Sequence, residues 1–407
     1  MINIGKIWTE EKSNKSRIYC NITINNEIKQ IWFEVDKKYG EYLCTERSDA
    51  YVIGLLNYAL RNHEDIECEV PVTDELLYNI NTILIPSLVK YAKSFVKIEV
   101  RAPKAEPLKK GFAVGTGCSC GVDSFSSIVR HIESDYRSLD ITHLCLNNVG
   151  AFNECYENYG PEKVKEERYK ITRDVAKELN LDLIETDSNF ASVIPQNHFR
   201  THTYSSTFAI YMLQKLWKVY YYASSGHDFN EFSLNDNDEN SAALYELLSL
   251  QCFSIDGLKI YSDCGEMTRM EKLKSIVDFP VAHKYLHVCL KQPTNCTSSC
   301  SKCKRTLLSL EALGKLDSFN QVFDVDYYKN NKKDYYKWLY AQHMQKEDLN
   351  ESTYQILKNK KEFGLIRLQY LLKLPFILAK KMVKKVLKKI LPKSVVEKIK
   401  KAKNKEK

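Results

Sequence analysis

Several features that would assign a protein to a well-known class are missing from this chain of 407 residues. It has no uninterrupted run of about 18 apolar residues, the length that a transmembrane helix needs. Residues 1–8 contain no apolar segment of the kind found in secretory signals, so we expect a cytoplasmic protein. No Gly-Lys-Ser/Thr triplet follows a glycine-rich segment, which excludes a Walker A phosphate loop. The chain also has no internal repeat.

The composition is otherwise ordinary, with 44% hydrophobic and 28% charged residues, which indicates a globular protein with a large core. The length is sufficient for two or three domains. The exception is cysteine, which occurs 13 times. In a reducing compartment, clustered cysteines more often bind metal or take part in chemistry than form disulfides.

The net charge of +8 comes from one end of the chain. Residues 358–407 contain 18 lysines and arginines against 3 acidic residues, so the rest of the chain carries a small net negative charge. A basic tail on a mildly acidic body gives no indication of a nucleic-acid groove. We therefore expect no direct nucleic-acid binding.

Residues 1–105 have the pattern of a smaller α+β domain. Residues 17–25 and 28–35 alternate apolar and polar side chains around Asn25 and Asn26, which predicts a β-hairpin. Helical periodicity predicts helices over 48–62 and 73–93, and residues 96–100 resemble a closing strand. Pro103 and Pro107 punctuate a polar linker.

Residues 110–325 alternate between strand and helix patterns. This alternation predicts an α/β fold with a parallel, doubly wound sheet, and ligands bind at the carboxyl ends of such strands. The predicted strands are 112–116, 141–147, 181–186 and 219–223, and the predicted helices are 124–134, 162–179 and 205–217. Residues 326–407 are predicted to be helical.

A loop of small residues follows the first strand of this alternation. Residues 115–124 read Gly-Thr-Gly-Cys-Ser-Cys-Gly-Val-Asp-Ser and open the first helix. Small residues allow an anion to approach the backbone, and the amides at a helix start favour negative charge. Ser119 and Ser124 add hydroxyl donors, while Asp123 is suited to orienting the loop or holding Mg²⁺. The alternative is a plain turn capped by serine.

Four cysteines lie within fifteen residues, at Cys289, Cys296, Cys300 and Cys303. Four thiolates joined by short loops suit a tetrahedral, structural Zn²⁺, and nearby lysines and arginine favour the thiolate form. Cys264 or Cys252 is an alternative to Cys289 as the first ligand. The competing interpretation is a set of unrelated buried cysteines.

Residues 119–124 resemble the Ser-Gly-Gly-x-Asp-Ser signature of the PP-loop ATP pyrophosphatase superfamily. With the downstream cysteines, residues 110–315 are similar to 7-cyano-7-deazaguanine synthases, and the whole chain resembles a larger synthase-like branch with an extra amino-terminal domain. The resemblance implies a HUP-like nucleotide-binding fold, ATP with Mg²⁺, and a structural zinc. It also implies an AMP-forming ligase that adenylates a small-molecule or sugar- or base-linked carboxylate and transfers nitrogen to it.

The resemblance also implies a set of site residues. Asp123, Arg269 and Lys272 would be catalytic, since a late helix of related enzymes directs basic residues at the phosphates; a solvated helix start is the alternative for that helix. Cys120 replaces the usual glycine, which the loop tolerates if its φ angle is negative. The nucleotide would bind to Ser119, Cys120, Gly121, Val122, Asp123, Ser124 and Asn147.

Three further groups follow predicted strands and are candidates for substrate binding. His198, Arg200 and His202 lie in a predicted loop after the third strand, where histidines can move protons near neutral pH. The Ser-Ser-Gly-His-Asp segment 224–228 ends the fourth strand, and Asn148 neighbours Asn147. A structural role without ligand contact is the alternative for each group.

Two rival functions and one unassigned tail complete the sequence-based picture. A sulfur-transfer enzyme would use a persulfide on Cys118, Cys120, Cys145 or Cys155, whereas a non-catalytic nucleotide-binding protein would need none. Residues 379–391 alternate Lys-Lys with apolar pairs, which predicts a basic amphipathic helix. Its partner would be an anionic membrane surface, an acidic protein or the acidic body of this chain.

Overall fold

Twelve β-strands occur in the part of the chain that the computed structural model describes, namely residues 1–154, 160–194, 197–224, 228–234, 241–297, 299–369 and 372. The strands are β1 (Ile2–Lys12), β2 (Lys15–Ile24), β3 (Glu27–Asp36), β4 (Ile66–Cys68), β5 (Val72–Thr73), β6 (Val100–Arg101), β7 (Lys104–Ala105), β8 (Ala113–Gly117), β9 (His143–Asn148), β10 (Asp182–Ser188), β11 (Trp217–Ala223) and β12 (Lys259–Asp263).

Fourteen α-helices accompany these strands within the same described ranges. They are α1 (Asp49–Asn62), α2 (Asp74–Tyr78), α3 (Ile85–Tyr91), α4 (Val122–His131), α5 (Pro161–Leu179), α6 (Phe190–Val193), α7 (His198–Met212), α8 (Glu246–Phe253), α9 (Arg269–Ile276), α10 (Pro280–Tyr285), α11 (Ser301–Ala312), α12 (Val325–Asn330), α13 (Lys332–Met344) and α14 (Asp348–Leu357). A π-helical turn, Asn79–Leu84, joins α2 to α3, and residues 361–369 are helical.

Ten strands form one sheet in the order β12-β11-β8-β9-β10-β3-β2-β1-β4-β6. The five strands from β12 to β10 are mutually parallel. In chain order these five read 5-4-1-2-3 across the sheet, so the direction of winding reverses between β8 and β11. Ligands of open α/β sheets bind at such a switch point. The predicted α/β class and mostly parallel sheet are confirmed.

Close packing at β8 explains its small residues. A Cβ atom added to Gly115 would lie 2.6 Å from the ring of Trp217 on the neighbouring strand β11, a distance that real side chains do not reach. Glycine at this position therefore lets the first and fourth strands of the parallel group approach while Trp217, 1% exposed, fills the space beside it.

The amino-terminal strands continue the same sheet. β3 pairs antiparallel with β10 through two residue pairs, Glu34 with Asp187 and Phe33 with Ser188. The predicted hairpin is confirmed as β2 and β3, and both Asn25 and Asn26 have positive φ, as a tight hairpin turn requires. Strand β1 has no counterpart in the sequence-based prediction. Residues 1–105, predicted as a separate unit, thus share a sheet with residues 110–325.

An aromatic core lies between the amino-terminal strands and helices α1 and α7. Phe208 of α7 is fully buried and contacts three other rings. Its ring centroid lies 6.0 Å from that of Phe33, 5.8 Å from that of Tyr51 and 4.5 Å from that of Phe190. Edge-on and offset ring contacts of this kind stabilise a core beyond the area they bury.

Several element boundaries differ from the sequence-based predictions. The predicted helix 205–217 is α7, His198–Met212, because the chain turns into β11 at Trp217. The predicted strand 96–100 retains only Val100–Arg101. The predicted helix 73–93 is interrupted by the π-helical turn.

The chain forms one compact unit over Met1–Tyr328 and a second over Lys329–Lys407. Helices α13 and α14 lie in the second unit, in agreement with the predicted helical carboxyl-terminal region. The predicted amphipathic helix 379–391 lies outside the described residues. None of the helices in the described ranges is both long and apolar enough to cross a bilayer.

Candidate functional site

The loop between β8 and α4 has the geometry of an anion-binding turn. Gly121 caps helix α4, and its backbone N–H donates to Ser119 Oγ at 3.3 Å. Ser119 and Ser124 hydroxyls lie 3.3 Å apart, and Ser124 Oγ donates to the Gly121 carbonyl at 3.1 Å. Ser119 is exposed, whereas Val122 and Ser124 are buried. The loop therefore presents one hydroxyl and the amides of a helix start at the switch point.

Cys120 adopts a conformation that the sequence-based prediction did not favour. Its φ angle is +57°, in the left-handed region where a side chain costs about 1–2 kcal/mol and glycine is free. The condition set for tolerance of cysteine, a negative φ, is not met. The backbone conformation at position 120 therefore favours glycine over the cysteine that is present.

Two basic residues converge on the acidic residue of the loop. Arg269 Nη1 lies 2.6 Å from each carboxylate oxygen of Asp123, and Lys272 Nζ lies 3.7 Å from Oδ1. Both basic residues belong to the first turn of α9, which begins with a capping box between Thr268 and Glu271. The cap fixes where α9 starts, and with it the positions of the two cations. The structure thus brings together the three residues predicted to be catalytic.

The charges around Asp123 keep its carboxylate ionised. Burial alone would raise the pKa of Asp123, but the positive charges of Arg269 and Lys272 outweigh it and the pKa is lowered. Lys302 contributes to the same effect. The loop therefore has more positive than negative charge beside Asp123, which favours an anion there.

Lys272 is buried, and its ammonium group connects the loop to the end of β11. Only 2% of its side chain is exposed, and Nζ donates to the Ser224 carbonyl at 2.7 Å. Nearby, Glu246 Oε1 accepts a hydrogen bond from Ser262 at 2.9 Å. Burial raises the pKa of Glu246 to about 7, and its Oε2 has no hydrogen-bond partner among the described residues. A buried polar network thus supports the cationic side of the loop.

Arg168 of α5 is a loop contact that the sequence-based reasoning missed. Its guanidinium donates to the Ser119 carbonyl and to Nδ1 of His287. The backbone N–H of His287 in turn donates to the Cys120 carbonyl at 2.8 Å. The only signal in the sequence was a basic residue on a helix that follows the second strand, which many surface helices share.

The four predicted metal ligands form one cluster. One Sγ atom from each cysteine lies within 4.8 Å of the others, and all four side chains are buried. Tetrahedral zinc with Zn–S bonds of about 2.3 Å requires sulfur atoms about 3.8 Å apart, so the arrangement fits a metal after small movements. The cluster consists of Cys289, Cys296, Cys300 and Cys303.

The contacts within the cluster show which cysteines belong to it. Contact with Cys289 and then with Cys303 lowers the pKa of Cys300, whereas contact with Cys300 raises the pKa of Cys289 and contact with Cys289 raises that of Cys303. The N–H of Lys291 donates to Cys289 Sγ at 3.3 Å. Cys289, and neither Cys264 nor Cys252, is therefore the first member of the cluster. A buried four-thiol cluster is suited to a soft divalent metal such as zinc.

Asn295 and His287 tie the cysteine segment to its surroundings. The Asn295 side chain accepts from the Val288 N–H at 2.9 Å and donates to the Leu286 carbonyl at 2.7 Å. His287, two residues before Cys289, bonds to the phosphate-loop backbone as described above. The cluster and the loop are thus joined through a short stretch of chain, so order in one constrains the other.

The predicted nucleotide contact Asn147 lies at the carboxyl end of β9. Its Oδ1 accepts from the Thr186 hydroxyl at 3.0 Å. Asn148 donates to Asp187 at 2.7 Å, and Lys165 bonds to the other oxygen of that carboxylate at 2.8 Å. Both asparagines are half-buried at the same edge as the loop, so the edge is polar across at least β8, β9 and β10.

His198, Arg200 and His202 lie in the first turns of α7, and their placement in a loop was wrong. Helix α7 starts at His198, whereas the periodicity predicted a start at residue 205. His202 Nδ1 lies 2.8 Å from the Tyr222 hydroxyl, and Nε2 lies 3.2 Å from Ser241 Oγ. His202 therefore contacts the end of β11.

In the predicted Ser-Ser-Gly-His-Asp segment, Ser224 is buried and its carbonyl holds Lys272. Asp228 caps a short 3₁₀ turn by accepting from the Asn230 N–H at 2.8 Å. The three residues between them, 225–227, lie outside the described residues, as does Cys155. Ser224 thus contributes its backbone carbonyl to the contact with Lys272.

Residues 117–121 read Gly-Cys-Ser-Cys-Gly and also match the Gly-x-Ser-x-Gly pattern of hydrolase nucleophile turns. In such turns the serine itself occupies a strained conformation and faces a histidine. Here the positive φ belongs to Cys120 and not to Ser119. Within the described ranges, the Ser119 hydroxyl bonds to Ser124 and Gly121. This geometry does not support a serine nucleophile.

Fold and site together define an α/β protein with a loop of small residues at its switch point and, joined to it through His287, a buried four-cysteine cluster that could bind a metal. No protein-family model matches the chain, and neither a curated protein nor a solved structure is significantly similar to it. The functional interpretation therefore rests on the residues of the site.

Proposed function

We propose that the protein is an AMP-forming, ATP-dependent ligase with a HUP-like fold of the PP-loop type. The substrate would be a small-molecule or sugar- or base-linked carboxylate, which attacks the α-phosphorus of ATP. The bond to pyrophosphate breaks, and a nitrogen nucleophile then displaces AMP from the adenylate. Three features support this proposal: the 5-4-1-2-3 order of the parallel strands, the loop after β8 and the adjoining cysteine cluster.

The observation that carries the proposal is the contact of Arg269 and Lys272 with Asp123 at the phosphate loop. These residues come from two helices, α4 and α9, whose first turns meet at the switch point. Preorganised cations and helix amides at this place stabilise charge that develops on a leaving phosphate. A plain structural turn requires no buried lysine, and burying Lys272 without a task would cost stability.

Each loop residue has a proposed role that follows from its position. The amides of Gly121 and Val122, with the hydroxyl of Ser119, would bind pyrophosphate oxygens, and the buried Ser124 hydroxyl would position that of Ser119. Lys272 would offset the negative charge of the leaving group. Arg269 would do the same, and Asp123 would hold Arg269 in place. The adenine would approach Asn147, and the loop backbone at Cys120 would line the phosphates.

Metals enter this proposal in two different ways. Both Asp123 oxygens contact Arg269, so they are not placed as ligands for Mg²⁺, and we propose that Mg²⁺ arrives with the ATP phosphates. A zinc ion in the four-cysteine cluster would supply structural cross-linking. It would keep the chain from His287 to Cys303 in position behind the loop.

The proposal is tested by incubating the pure protein with ATP, Mg²⁺ and a fractionated cell extract and resolving nucleotides and products by mass. The expected result is AMP and pyrophosphate in equal amounts, together with a product one nitrogen richer than its precursor. Lys272→Met should remove the activity, and Lys274→Met, an exposed lysine of the same helix, should keep it. Release of ADP and phosphate would contradict the proposal.

A second candidate is a nucleotide-binding protein without catalysis, and the positive φ of Cys120 favours it. Strain at this residue makes the loop an imperfect cradle for the transition state. Tight ATP binding without ATP consumption in any extract fraction would establish this alternative.

Sulfur transfer is less well supported by the described cysteines. Cys118 and Cys120 are each 1% exposed and Cys145 is 3% exposed, so their sulfur atoms lie beneath the loop rather than above it. Serine substitutions at these positions that abolish product while ATP is still cleaved would favour this chemistry. The basic tail remains a proposed contact for an anionic membrane surface or an acidic partner.

A further inference from the structure

Two cysteines of the phosphate loop face each other below its backbone. The Sγ atoms of Cys118 and Cys120 are 4.0 Å apart, and neither thiol is in a disulfide. A disulfide requires about 2.05 Å between sulfur atoms, which side-chain rotation and a small backbone shift can supply. Two residues separated by a single serine thus form a dithiol inside a loop that is proposed to hold ATP.

The surroundings of the pair favour reaction between the two sulfur atoms. Contact with Cys118 lowers the pKa of Cys120 despite its burial, and the positive charge of Arg168 lowers it further. The same contact raises the pKa of Cys118. One sulfur is therefore the better nucleophile while its neighbour retains a proton, as in dithiols that exchange with external disulfides.

The backbone around the pair is anchored on both sides. The Cys118 N–H donates to the Cys145 carbonyl at 2.7 Å, and the Cys120 carbonyl accepts from His287 at 2.8 Å. Arg168 also holds the Ser119 carbonyl. When the sulfur atoms approach, the intervening Ser119 and the amide of Gly121 must absorb the movement. These are groups proposed to contact the phosphates.

We propose that Cys118 and Cys120 form an oxidative modification site, and that their disulfide lowers the affinity of the loop for ATP. The effect on ATP rests on the proposed function, whereas formation of the disulfide does not. A low-molecular-weight disulfide, with glutathione disulfide as the test compound, is the oxidant.

The reaction proceeds in two exchanges that balance. The Cys120 thiolate attacks one sulfur of glutathione disulfide, forming a mixed disulfide and releasing one glutathione thiolate. The Cys118 thiol then loses its proton and attacks the Cys120 sulfur, which breaks the mixed disulfide and releases a second glutathione. The protein loses two protons and two electrons, and glutathione disulfide gains them.

Because both thiols are buried, the rate of oxidation should depend on how often the loop opens. Since each cysteine is 1% exposed, an oxidant reaches it only when the loop opens. Bound ATP would hold the loop closed through its amides, so saturating ATP should slow oxidation. This protection separates a dithiol under the nucleotide site from a dithiol on an unrelated surface.

The experiment uses the full-length, zinc-loaded protein in glutathione buffers of increasing oxidised fraction. ATP affinity is measured by calorimetry, the disulfide by proteolysis and mass spectrometry, and zinc release by a chromogenic chelator. We expect a loss of about tenfold or more in ATP affinity, as for one misplaced hydrogen bond to a charged group. The loss should follow the Cys118–Cys120 linkage, precede zinc release and be reversed by dithiothreitol.

Two variants control the result. Cys118→Ser should bind ATP as the reduced protein does and cannot form the internal disulfide, so oxidised glutathione should convert it only as far as a mixed disulfide on Cys120; Cys118→Ala serves if the serine variant does not fold. Cys252→Ser, a buried cysteine of α8 outside the loop and the cluster, should respond like the unmodified chain.

Four results would overturn the proposal: linkage of Cys118 to Cys145 instead, a Cys118–Cys120 disulfide with unchanged ATP affinity, a Cys118→Ser protein that loses ATP affinity with no glutathione attached to Cys120, or equally fast oxidation with and without ATP. A reduced protein that binds no ATP would contradict the proposed function itself and the effect on affinity with it. In that case the peptide map still decides separately whether the disulfide forms.

Discussion

The aromatic core around Phe208 and the phosphate loop around Asp123 belong to the same compact unit, yet they are stabilised in different ways. The core consists of interlocking rings with almost no exposed surface. The loop combines an ion pair, a buried lysine and a backbone conformation that disfavours its side chain. The core is stabilised mainly by packing, whereas the loop keeps buried, paired charges and a strained backbone conformation.

Two buried carboxyl groups, one near the aromatic core and one near the loop, differ in how fully they are hydrogen-bonded. Asp49 of α1, near the aromatic core, is 1% exposed and accepts from Thr73 N–H at 2.8 Å and Thr73 Oγ1 at 2.6 Å. Glu246, at the edge that carries the loop, is 2% exposed and has one oxygen without a donor among the described residues. The contrast is confined to these two carboxyl groups, because the hydroxyl of Tyr51 in the aromatic core also has no hydrogen-bond partner among the described residues.

The largest effect is expected from the metal centre. Cys303→Ser should remove the metal and lower the free energy of unfolding by more than about 5 kcal/mol, because structural zinc contributes its binding energy to folding. Elemental analysis and denaturant unfolding measure the two quantities. Cys252→Ser should keep both near the unmodified values. A Cys303→Ser protein that folds normally, or an unmodified protein with no bound zinc, would refute the assignment.

The next effect is confined to the core. Phe208→Ala should lower the free energy of unfolding by about 3–5 kcal/mol, since it leaves a cavity among three rings. Zinc content and ATP affinity of the folded protein should not change. Phe199→Ala, at a position of α7 that is 52% exposed, is the control and should cost little. A parallel loss of ATP affinity in Phe208→Ala would mean that core and loop are coupled.

The converse experiment removes charge at the loop. Lys272→Met should reduce AMP formation by about 100- to 1000-fold, the loss expected when one preorganised donor to the leaving group is removed. The free energy of unfolding should change less than in Phe208→Ala, because the methionine side chain is similar in length to that of lysine. Lys274→Met is the control on the same helix. Unchanged AMP formation in Lys272→Met would remove this lysine from the mechanism.

The two carboxyl groups differ in what their neutralisation should do. Burial raises the pKa of Glu246 from 4.5 to about 7, so between these values the folded state binds more protons than the unfolded state. Stability therefore falls as pH rises through this window, by up to about 3 kcal/mol. Glu246→Gln should remove this part of the slope and be neutral or stabilising at pH 8.

Asp49 is the comparison for that prediction. Burial raises its pKa from 3.8 to about 6, which gives a slope of the same sign at lower pH. Asp49→Asn should nevertheless destabilise the protein at pH 8, because the amide nitrogen cannot accept from Thr73. Unfolding curves between pH 4 and pH 8 test both variants. A destabilising Glu246→Gln at pH 8 would show that the glutamate is stabilising as a charge.

The sequence predicted those parts of the molecule in which local pattern and tertiary structure agree. The hairpin of β2 and β3 follows from alternation and the Asn25-Asn26 turn. The alternating strands and helices from β8 to β11 follow from periodicity. The four cysteines were placed together by spacing alone. In each case a few neighbouring residues contain the whole signal.

What the sequence did not predict depends on contacts between distant residues. The pairing of β3 with β10 involves two residue pairs separated by about 150 positions, and no local pattern encodes it. Arg168 became a loop contact only because α5 lies beside the chain at His287. From the sequence we could say only that cysteine at position 120 requires a negative φ angle to be unstrained. The value of that angle depends on the folded backbone, which the sequence pattern does not reveal.

The smallest expected effect isolates that backbone strain. Cys120→Gly should relieve about 1–2 kcal/mol of left-handed strain, while glycine adds up to about 1 kcal/mol of unfolded-state freedom and loses the burial of one thiol. Cys118→Gly loses a similarly buried thiol and gains the same freedom, but its φ is not positive, so it relieves nothing. The difference between the two free energies of unfolding, measured by urea denaturation, should favour Cys120→Gly by about 1–2 kcal/mol. Equal stabilities would mean that Cys120 is not strained, and the loop would then differ from the core in charge but not in backbone energy.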